Sequence, residues 1–406
     1  MNVNLYLHIG DGKTGTSAIQ NFLDVNRELL FKEHGYLYPN FLETSYEKGR
    51  YHNHSAWFGG IDRQTDELIS ELKPLHQYCE KRGIHNVIMS NEGWMGRYRP
   101  RMNMVVKGLL QDNPGFQVKV ICYVRRPDSW LESYWKQWGI KKFADIDTFL
   151  ADRENDRGKN VLQVLEAWEE VVGRENIIVR PYEKQQLKGG LIADFLAAVG
   201  IQYDQHDWSP VEKTNLAMNV GFRRDVLEVL HMCRELAENR DDNRIFELFY
   251  DLLPPKFHKQ PFEQYELFSP MQKLTILKKN EPMMAEIARR YLGREDGKLF
   301  YEPWPQKDDT WQPYEGLTLN KLVPILIQLV YSQQQEINQL KQKVLGERGF
   351  LEKQVEKLAT ASGYHGEQAS PAAGTPQAVN EQRGFKQKFK RSFLYRLMRK
   401  IYRALR

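Results

Sequence analysis

Apolar residues in the first half of the chain gather into short runs, each followed by Gly or by polar residues. Four of these runs predict buried strands, at residues 3–9, 86–90, 118–124 and 177–180. Between them, apolar residues recur at helical spacing, as at residues 16–30, 65–82, 129–138 and 161–172. Strands that alternate with helices favour a parallel sheet covered by helices. The pattern therefore predicts an α/β fold of three layers around a central parallel sheet.

The pattern changes after about residue 205, where the strand signal ends. Residues 221–237 and 270–291 predict helices that cap or complete the core. Residues 325–358 carry apolar positions of which part suits a short coiled coil, although Gly346 and Gly349 interrupt the spacing. We therefore expect a helical extension at the C-terminal end of the chain.

Composition separates the last part of the chain further. Residues 360–383 are rich in Ala, Gly, Pro, Gln and Ser, which predicts a flexible linker. The sequence thus divides into a globular domain, a helical or coiled-coil segment, a linker and a basic amphipathic helix, at residues 1–315, 316–359, 360–383 and 384–406.

Charge is distributed unevenly along the 406 residues, whose net charge is +5. Residues 384–406 hold nine Lys or Arg and no Asp or Glu, so the remainder is mildly acidic. Apolar residues recur every four positions in this end, at Phe385, Phe389, Phe393, Leu397, Ile401 and Leu405. An apolar stripe between basic faces is typical of a helix in an anionic membrane interface. Docking on the protein's own acidic body is an alternative, and the high apolar content argues against nucleic acid.

Two further features bear on location. No run reaches the ~18 consecutive apolar residues of a membrane-spanning helix, and the first residues lack the pattern of a secretory signal. Cys79, Cys122 and Cys233 are too widely spaced for a disulfide framework or a zinc site, which predicts buried free thiols. We expect a cytoplasmic protein, peripheral on the inner face of a membrane.

The first chemical motif, Lys13-Thr14-Gly15-Thr16-Ser17, follows the first predicted strand and opens a helix. Backbone N–H groups at a helix N-terminus favour an anion, and the motif adds one cationic and three hydroxyl side chains. The usual nucleotide-binding loop requires Gly five positions before Gly12, where this chain has Leu7. The motif therefore predicts a phosphate-binding loop of another type, or else an ordinary strand-to-helix turn.

The second motif spans residues 123–134 and also lies between a strand and a helix. Arg125 ends the strand, and Ser133 falls on the second turn of the helix. A guanidinium and a hydroxyl so placed suit a second phosphate. In the alternative interpretation, Arg125 and Arg126 pair with surface carboxylates.

Together the two motifs resemble the sulfotransferases that use 3'-phosphoadenosine-5'-phosphosulfate (PAPS), in particular the bacterial and Golgi carbohydrate enzymes. That family has Lys-[Ser/Thr]-Gly-Thr-[Thr/Ser] after its first strand, and about a hundred residues later an Arg followed eight positions on by Ser. The resemblance covers roughly residues 1–200. It implies a P-loop-like fold, a sulfuryl transfer reaction without a metal, and a hydroxyl acceptor on a carbohydrate such as a cell-surface polysaccharide or lipid-linked glycan.

The resemblance also implies roles for individual residues. Lys13 would contact the bridging oxygen of the phosphosulfate and offset charge on the leaving group. The 5'-phosphate would be held by the rest of the first motif, at Thr14, Gly15, Thr16 and Ser17. The 3'-phosphate would be bound by Arg125 and Ser133. A late loop near Lys213 and Asn215 would complete the nucleotide site.

An alcohol acceptor needs a base within hydrogen-bond reach. Glu92 lies just past a predicted strand, in a Ser-x-Glu pattern that the family often has. His54, on a polar loop, has a side chain that titrates near neutrality. We expect one of the two to be the base, with His52 a weaker candidate. Tryptophans near the motifs either stack on sugar rings or pack in the core, at Trp57, Trp94, Trp135 and Trp138.

The sequence thus predicts a sulfotransferase, with two alternatives. A kinase of the P-loop type would require ATP and Mg²⁺ instead of PAPS. A non-catalytic membrane scaffold would use only the coiled-coil segment and the basic end. The coiled-coil segment also makes a homo-oligomer a plausible state.

Overall fold

The computed structural model describes most of the chain, at residues 1–41, 46, 53–59, 63–113, 115–155, 160–203, 208–209, 222–236, 244–258, 266–311 and 314–361. The predicted linker from residue 362 onward, the basic amphipathic helix, and the candidates His52, Lys213 and Asn215 lie outside these residues.

Five parallel strands form one sheet in the described residues, at β1 (Val3–His8), β2 (Tyr36–Leu37), β3 (Asn86–Ser90), β4 (Phe116–Val124) and β5 (Ile177–Pro181). Their spatial order is β2-β3-β1-β4-β5. At the carboxyl end of β1, His8 pairs with Ser90 of β3 and with Ile121 of β4. The chain leaves β1 toward β3 on one side and later returns to its other side with β4. Ligands of open α/β sheets bind at such a reversal, beyond the carboxyl ends of the strands.

Helices occupy most of the remaining described chain. In chain order they are α1 (Thr16–Val25), α2 (Arg27–His34), α3 (Ser55–Phe58), α4 (Thr65–Arg82), α5 (Arg99–Asp112), α6 (Pro127–Tyr134), α7 (Ile140–Lys142), α8 (Ile146–Asn155), α9 (Val161–Val172), α10 (Leu191–Val199), α11 (Arg224–Met232), α12 (Arg244–Leu252), α13 (Pro270–Leu292) and α14 (Leu319–Ala361). A π-helical turn, Trp135–Gly139, follows α6. None of the helices in the described residues is long and apolar enough to cross a membrane.

The side chains of β1 alternate between two hydrophobic layers. Leu5 and Leu7 join the cluster that contains residues of α4, α5, α9 and α13. Tyr6 joins the opposite cluster, with residues of α1, α2 and α10. The sheet is therefore covered on both faces, and the predicted α/β fold of three layers is confirmed.

The chain divides into two compact units. The first comprises the described parts of residues 1–139, 144–219 and 266–313, and it contains the sheet and both motifs. The second comprises the described parts of residues 140–143, 220–265 and 314–406. It contains α7, α11, α12 and α14.

The sequence placed several boundaries correctly and others not. The predicted helices at 65–82 and 161–172 have the bounds of α4 and α9. The helix predicted at 16–30 is instead two helices, which meet at Asn26. Gly346 and Gly349, which interrupt the apolar spacing of the sequence, do not break the helix, because α14 is helical through both. The three cysteines are buried free thiols, as expected.

Candidate functional site

The first motif forms a tight loop between β1 and α1. Asp11 O accepts hydrogen bonds from Thr14 N at 3.2 Å and from Thr14 Oγ1 at 2.5 Å. Thr16 Oγ1 donates to the same oxygen at 3.3 Å. Gly15 is the N-cap of α1 and supplies no capping side chain, and the first turn of the helix holds no acidic residue. The first N–H groups of the helix and its positive dipole end are therefore available to an anion.

Gly15 is required at its position for two independent reasons. Its φ of 79° lies in the left-handed region, which costs other residues roughly 1–2 kcal/mol. A Cβ there would also lie 2.2 Å from Leu191 Cδ2 and 3.3 Å from Tyr182 Cε2. The loop is thus packed against α10 and against the residue that follows β5.

The second motif reaches the first by way of Arg125. Its Nη1 donates to Lys13 O at 2.8 Å, and its guanidinium lies 5.7 Å from the centre of the Tyr182 ring. On α6, Trp130 Nε1 donates to Gly12 O at 3.0 Å. These contacts bring the two motifs, more than a hundred residues apart in the chain, into one site. Burial lowers the pKa of Arg125, an effect opposed first by the phenol of Tyr182.

The neighbouring arginine has a different environment. Arg126 Nε and Nη2 donate to the two carboxylate oxygens of Asp128 at 2.8 and 2.9 Å. Asp128 is 1% exposed, so Arg126 neutralises a buried carboxylate. Among the described residues, Arg125 has no such carboxylate partner and keeps donors for a ligand. Of the two arginines in the alternative interpretation, Arg126 pairs with carboxylates within the described residues, at the buried Asp128 and the exposed Glu302.

The hydroxyl candidates lie on two helices, with Thr16 and Ser17 on the first turn of α1 and Ser133 on the second turn of α6. Ser133 is half-buried on α6, three residues after Trp130 and hence on the helix face that contacts the loop. Its hydroxyl makes no hydrogen bond within the described part of the chain. Ser17 is half-buried at the second position of α1, whereas Thr16 is almost fully buried.

Lys13 and Glu92 are two further charged residues of the site. Burial is the main cause that lowers the pKa of Lys13; the nearby Glu92 carboxylate opposes this shift, and Arg125 adds to it. Glu92 is exposed and opens a short 3-10 turn, Glu92–Met95, directly after β3. Asn91 Oδ1 caps this turn by accepting from Gly93 N at 2.8 Å. A carboxylate thus lies at the carboxyl edge of the sheet, and its charge favours the protonated form of Lys13.

His54 lies in the core and not on a polar loop. It is fully buried, and its Nδ1 accepts from Ser90 N at 3.1 Å. The other nitrogen, Nε2, is 3.1 Å from Pro39 O, to which it donates in the neutral tautomer. Burial lowers the pKa of His54 to about 3. With both nitrogens engaged, the imidazole holds Ser90, and through it the start of the Glu92 turn.

The four tryptophans differ in exposure. Trp57, Trp94 and Trp135 are buried and serve the core. Trp138, on the π-helical turn, is half-buried. Within the described residues, no group of three His, Cys, Asp or Glu side chains is placed to hold a metal ion.

Sequence reasoning missed a buried polar cluster beneath the loop. His8 Nδ1 lies 2.8 Å from Ser90 Oγ, and Gln20 Nε2 donates a hydrogen bond to Ser90 Oγ at 3.0 Å. All three residues are buried. The available signal was a histidine at the end of a strand that is otherwise almost entirely apolar, immediately before a glycine-rich turn.

Comparisons with known proteins identify no family. No family model matches the chain, and no solved structure matches it significantly. A protein from Archaeoglobus fulgidus, described only as an uncharacterized protein, is 34% identical over 84 residues. The match covers 20% of this chain and 22% of the archaeal protein, so the chain spans about a fifth of that relative's length. The resemblance to sulfotransferases therefore stays a prediction.

Proposed function

We propose that the protein is a PAPS-dependent sulfotransferase that acts on a hydroxyl group of a carbohydrate acceptor. The observation that carries the proposal is the hydrogen bond from Arg125 to Lys13 O, 2.8 Å long. It joins two separate anion-binding motifs into one site at the switch point of the sheet. A nucleotide with phosphates on both its 5' and 3' positions is the ligand chemistry that two such motifs suit.

The side chains of the site fit such a nucleotide. An uncapped helix start, the half-buried ammonium of Lys13 and a guanidinium without a carboxylate partner in the described residues are all donors to anions. Lys13 and the motif from Thr14 to Ser17 would hold the 5'-phosphosulfate. Arg125 and Ser133 would hold the 3'-phosphate, which ATP lacks. This last requirement favours a sulfotransferase over an ATP-dependent kinase.

PAPS supplies a sulfuryl group whose sulfur forms a bond to the acceptor oxygen as the bond to the 5'-phosphate oxygen breaks. In our proposal, the Glu92 carboxylate accepts the proton of the acceptor hydroxyl. Lys13 holds positive charge where negative charge develops on the leaving oxygen. His54 is the weaker base candidate, because both its nitrogens are engaged inside the core. We assign it a positioning role through Ser90.

Calorimetric titration with 3'-phosphoadenosine-5'-phosphate (PAP), beside ADP and AMP, tests the nucleotide assignment. We expect PAP to bind most tightly and Arg125→Ala to weaken PAP binding roughly tenfold to a hundredfold, as for a lost charged hydrogen bond. The matched control is Arg174→Ala, which removes an equal charge from an exposed position. Equal affinity for PAP and ADP would reject the assignment, and Mg²⁺-dependent ATP turnover would support the kinase.

We propose further that the basic end, residues 384–406, holds the protein on the inner face of a membrane. The support is its sequence, in which basic residues flank an apolar stripe. Near an anionic surface each basic residue contributes about 1 kcal/mol. Truncation before Gly384 should abolish co-sedimentation with vesicles that contain phosphatidylglycerol but leave PAP binding intact. Unchanged sedimentation of the truncated protein would count against this tether.

A further inference from the structure

A buried polar side chain beneath the phosphate loop has no part in the roles proposed above. His8 is the last residue of β1 and is fully buried, with its ring edge-on to Tyr123 and Phe195. Its Nε2 has no hydrogen-bond partner within the described residues. An unpaired buried donor or acceptor destabilises a protein, so this arrangement needs a physical reason.

The neighbours of His8 determine which nitrogen carries the proton. Burial lowers the pKa of His8 to about 3, so the ring is neutral and has one donor and one acceptor. Gln20 Nε2 donates to Ser90 Oγ at 3.0 Å, which leaves the Ser90 hydroxyl proton to be donated onward. His8 Nδ1, at 2.8 Å, is the acceptor that the described residues offer to it. The proton of His8 is therefore on Nε2, the nitrogen without a partner.

The unpaired nitrogen faces the phosphate loop. A Cβ placed on Gly10 would lie 2.8 Å from His8 Nε2 and 2.8 Å from Thr16 Oγ1. These two polar atoms therefore flank the space that a Gly10 side chain would take, and they are separated by at most twice that distance. Within the described residues, Thr16 Oγ1 makes one hydrogen bond, a long one of 3.3 Å to Asp11 O.

We infer that His8 is a positioning residue of the phosphate loop, whose Nε2–H donates to Thr16 Oγ1 when the Thr16 hydroxyl donates to a bound anion. The donors then point in one direction, from Gln20 through Ser90, His8 and Thr16 to the anion. Hydrogen bonds in such a chain polarise and strengthen one another. Ser90 also precedes Asn91 and Glu92, so the chain links the anion to the turn that carries the proposed base. The inference rests on the proposed function only in naming the anion as the phosphosulfate end of the nucleotide.

Two substitutions of His8 distinguish the contribution of its hydrogen-bond donor from that of its ring packing. His8→Phe keeps an aromatic ring and removes the donor, whereas His8→Gln can place an amide N–H near the position of Nε2. We expect His8→Phe to weaken PAP binding about tenfold, and His8→Gln to recover most of that loss. The control is His76→Phe on α4, which removes a nearly buried imidazole at the opposite edge of the sheet and should leave PAP affinity unchanged.

A double-mutant cycle and a spectroscopic signal test the link to Thr16 directly. His8→Phe combined with Thr16→Val should bind PAP no worse than Thr16→Val alone, because the inferred bond is already lost. In ¹⁵N spectra of the wild-type protein, the Nε2–H of His8 should shift and exchange more slowly with solvent when PAP is added. Additive losses in the cycle, or an unshifted Nε2 signal, would overturn the inference.

A second probe separates this inference from the proposed function. Inorganic pyrophosphate can occupy the phosphate loop without a 3'-phosphate site. If the wild-type protein binds pyrophosphate but not PAP, the sulfotransferase assignment fails. A pyrophosphate affinity about tenfold lower in His8→Phe than in the wild-type protein would still support the role of His8. Equal pyrophosphate affinity of the two proteins would reject that role. Failure to bind either anion would reject both proposals.

Discussion

The Lys13 residue combines an unfavourable backbone with a charge that the site needs. Its φ is 73°, and among the described residues it is the one residue other than glycine with a left-handed backbone conformation. Such a conformation costs an ordinary residue about 1–2 kcal/mol, and residues of this kind concentrate at functional sites. Arg125 donates to the Lys13 carbonyl and so helps to hold the conformation. Glycine would fit better here, which indicates that the lysine is retained for its ammonium group.

Replacing Lys13 in two ways tests this interpretation. Lys13→Ala removes the charge and keeps the strain, whereas Lys13→Gly removes both. We expect Lys13→Gly to be more stable than Lys13→Ala by about 1 kcal/mol in chemical denaturation, and both variants to lose PAP binding. Equal stability of the two variants would show that the backbone at residue 13 is not strained.

Two buried histidines predict a loss of stability in mild acid. Burial lowers the pKa of both His8 and His54 to about 3, from an ordinary value of 6.5. The unfolded chain therefore takes up protons below pH 6.5 that the folded protein does not. Each histidine should reduce the free energy of unfolding by about 1.4 kcal/mol per pH unit as pH falls from 6.5 toward 3.

The contribution of one histidine can be isolated from the slope of stability against pH. We expect His54→Gln to reduce the slope between pH 6.5 and 5 by about 1.4 kcal/mol per pH unit, whatever its effect on absolute stability. Urea denaturation at several pH values measures both slopes. Parallel curves for the variant and the wild-type protein would contradict the prediction.

At the scale of elements, the sequence predicts those helix and strand boundaries that are determined by neighbouring residues in the chain. The helix α9 could be bounded because Asn160 accepts from Leu162 N at 3.0 Å and Gly173 ends the helix. The break between α1 and α2 could not, because it depends on a distant contact. Asn26 exchanges hydrogen bonds with the backbone of Ser209, at 2.8 and 3.2 Å. The two-residue strand β2 is too short for any periodicity to show.

The same distinction applies to the candidate site. The Lys13–Ser17 loop and Arg125 could be singled out as candidates because each belongs to a contiguous motif after an apolar strand. The burial of His54 was not, because its loop is folded into the core by neighbours from several parts of the chain, among them Tyr38 and Ser90. The His8 cluster combines residues of β1, α1 and β3, and the register of the sheet is what places His8 beside Ser90.

The long helix α14 carries two glycines that local propensity disfavours. A Cβ at Gly346 or Gly349 would meet no atom within 4 Å, and neither residue has a positive φ. We therefore expect Gly346→Ala and Gly349→Ala each to stabilise the helix by about 1 kcal/mol. Hydrogen exchange of the surrounding helix amides measures this effect locally.

A Gly→Ala substitution at the end of another helix should have the opposite effect on stability. Gly293 ends α13 with a φ of 64°, and a Cβ there would also meet no atom within 4 Å. Gly293→Ala should therefore destabilise the protein by about 1 kcal/mol, through backbone strain alone. If Gly293→Ala stabilised the protein, or Gly346→Ala destabilised it, the explanation by backbone conformation at these two glycines would be wrong.

At the scale of the whole molecule, the candidate anion site and the long helix belong to different units. Apolar residues follow one another at intervals of seven along α14, at Val323, Val330, Ile337, Val344 and Leu351. Four of them are at least 38% exposed, and Ile337 is half-buried. A seven-residue period of mostly β-branched residues is typical of the a positions of a parallel two-stranded coiled coil. We therefore expect a second copy of the chain to cover this stripe.

Sedimentation equilibrium of the wild-type protein should accordingly show a dimer at micromolar concentrations. Val344→Lys places a charge in the apolar stripe. In a dimer the lysines of the two copies would lie close together and repel each other, so the variant should shift the protein toward monomer. Gln342→Lys adds the same charge at an exposed position outside the apolar stripe and should leave the dimer intact. PAP affinity should be equal in both variants, because the anion site is built from residues of the other unit. A wild-type monomer, or equal dissociation by the two lysines, would show that the stripe does not pair with a second copy.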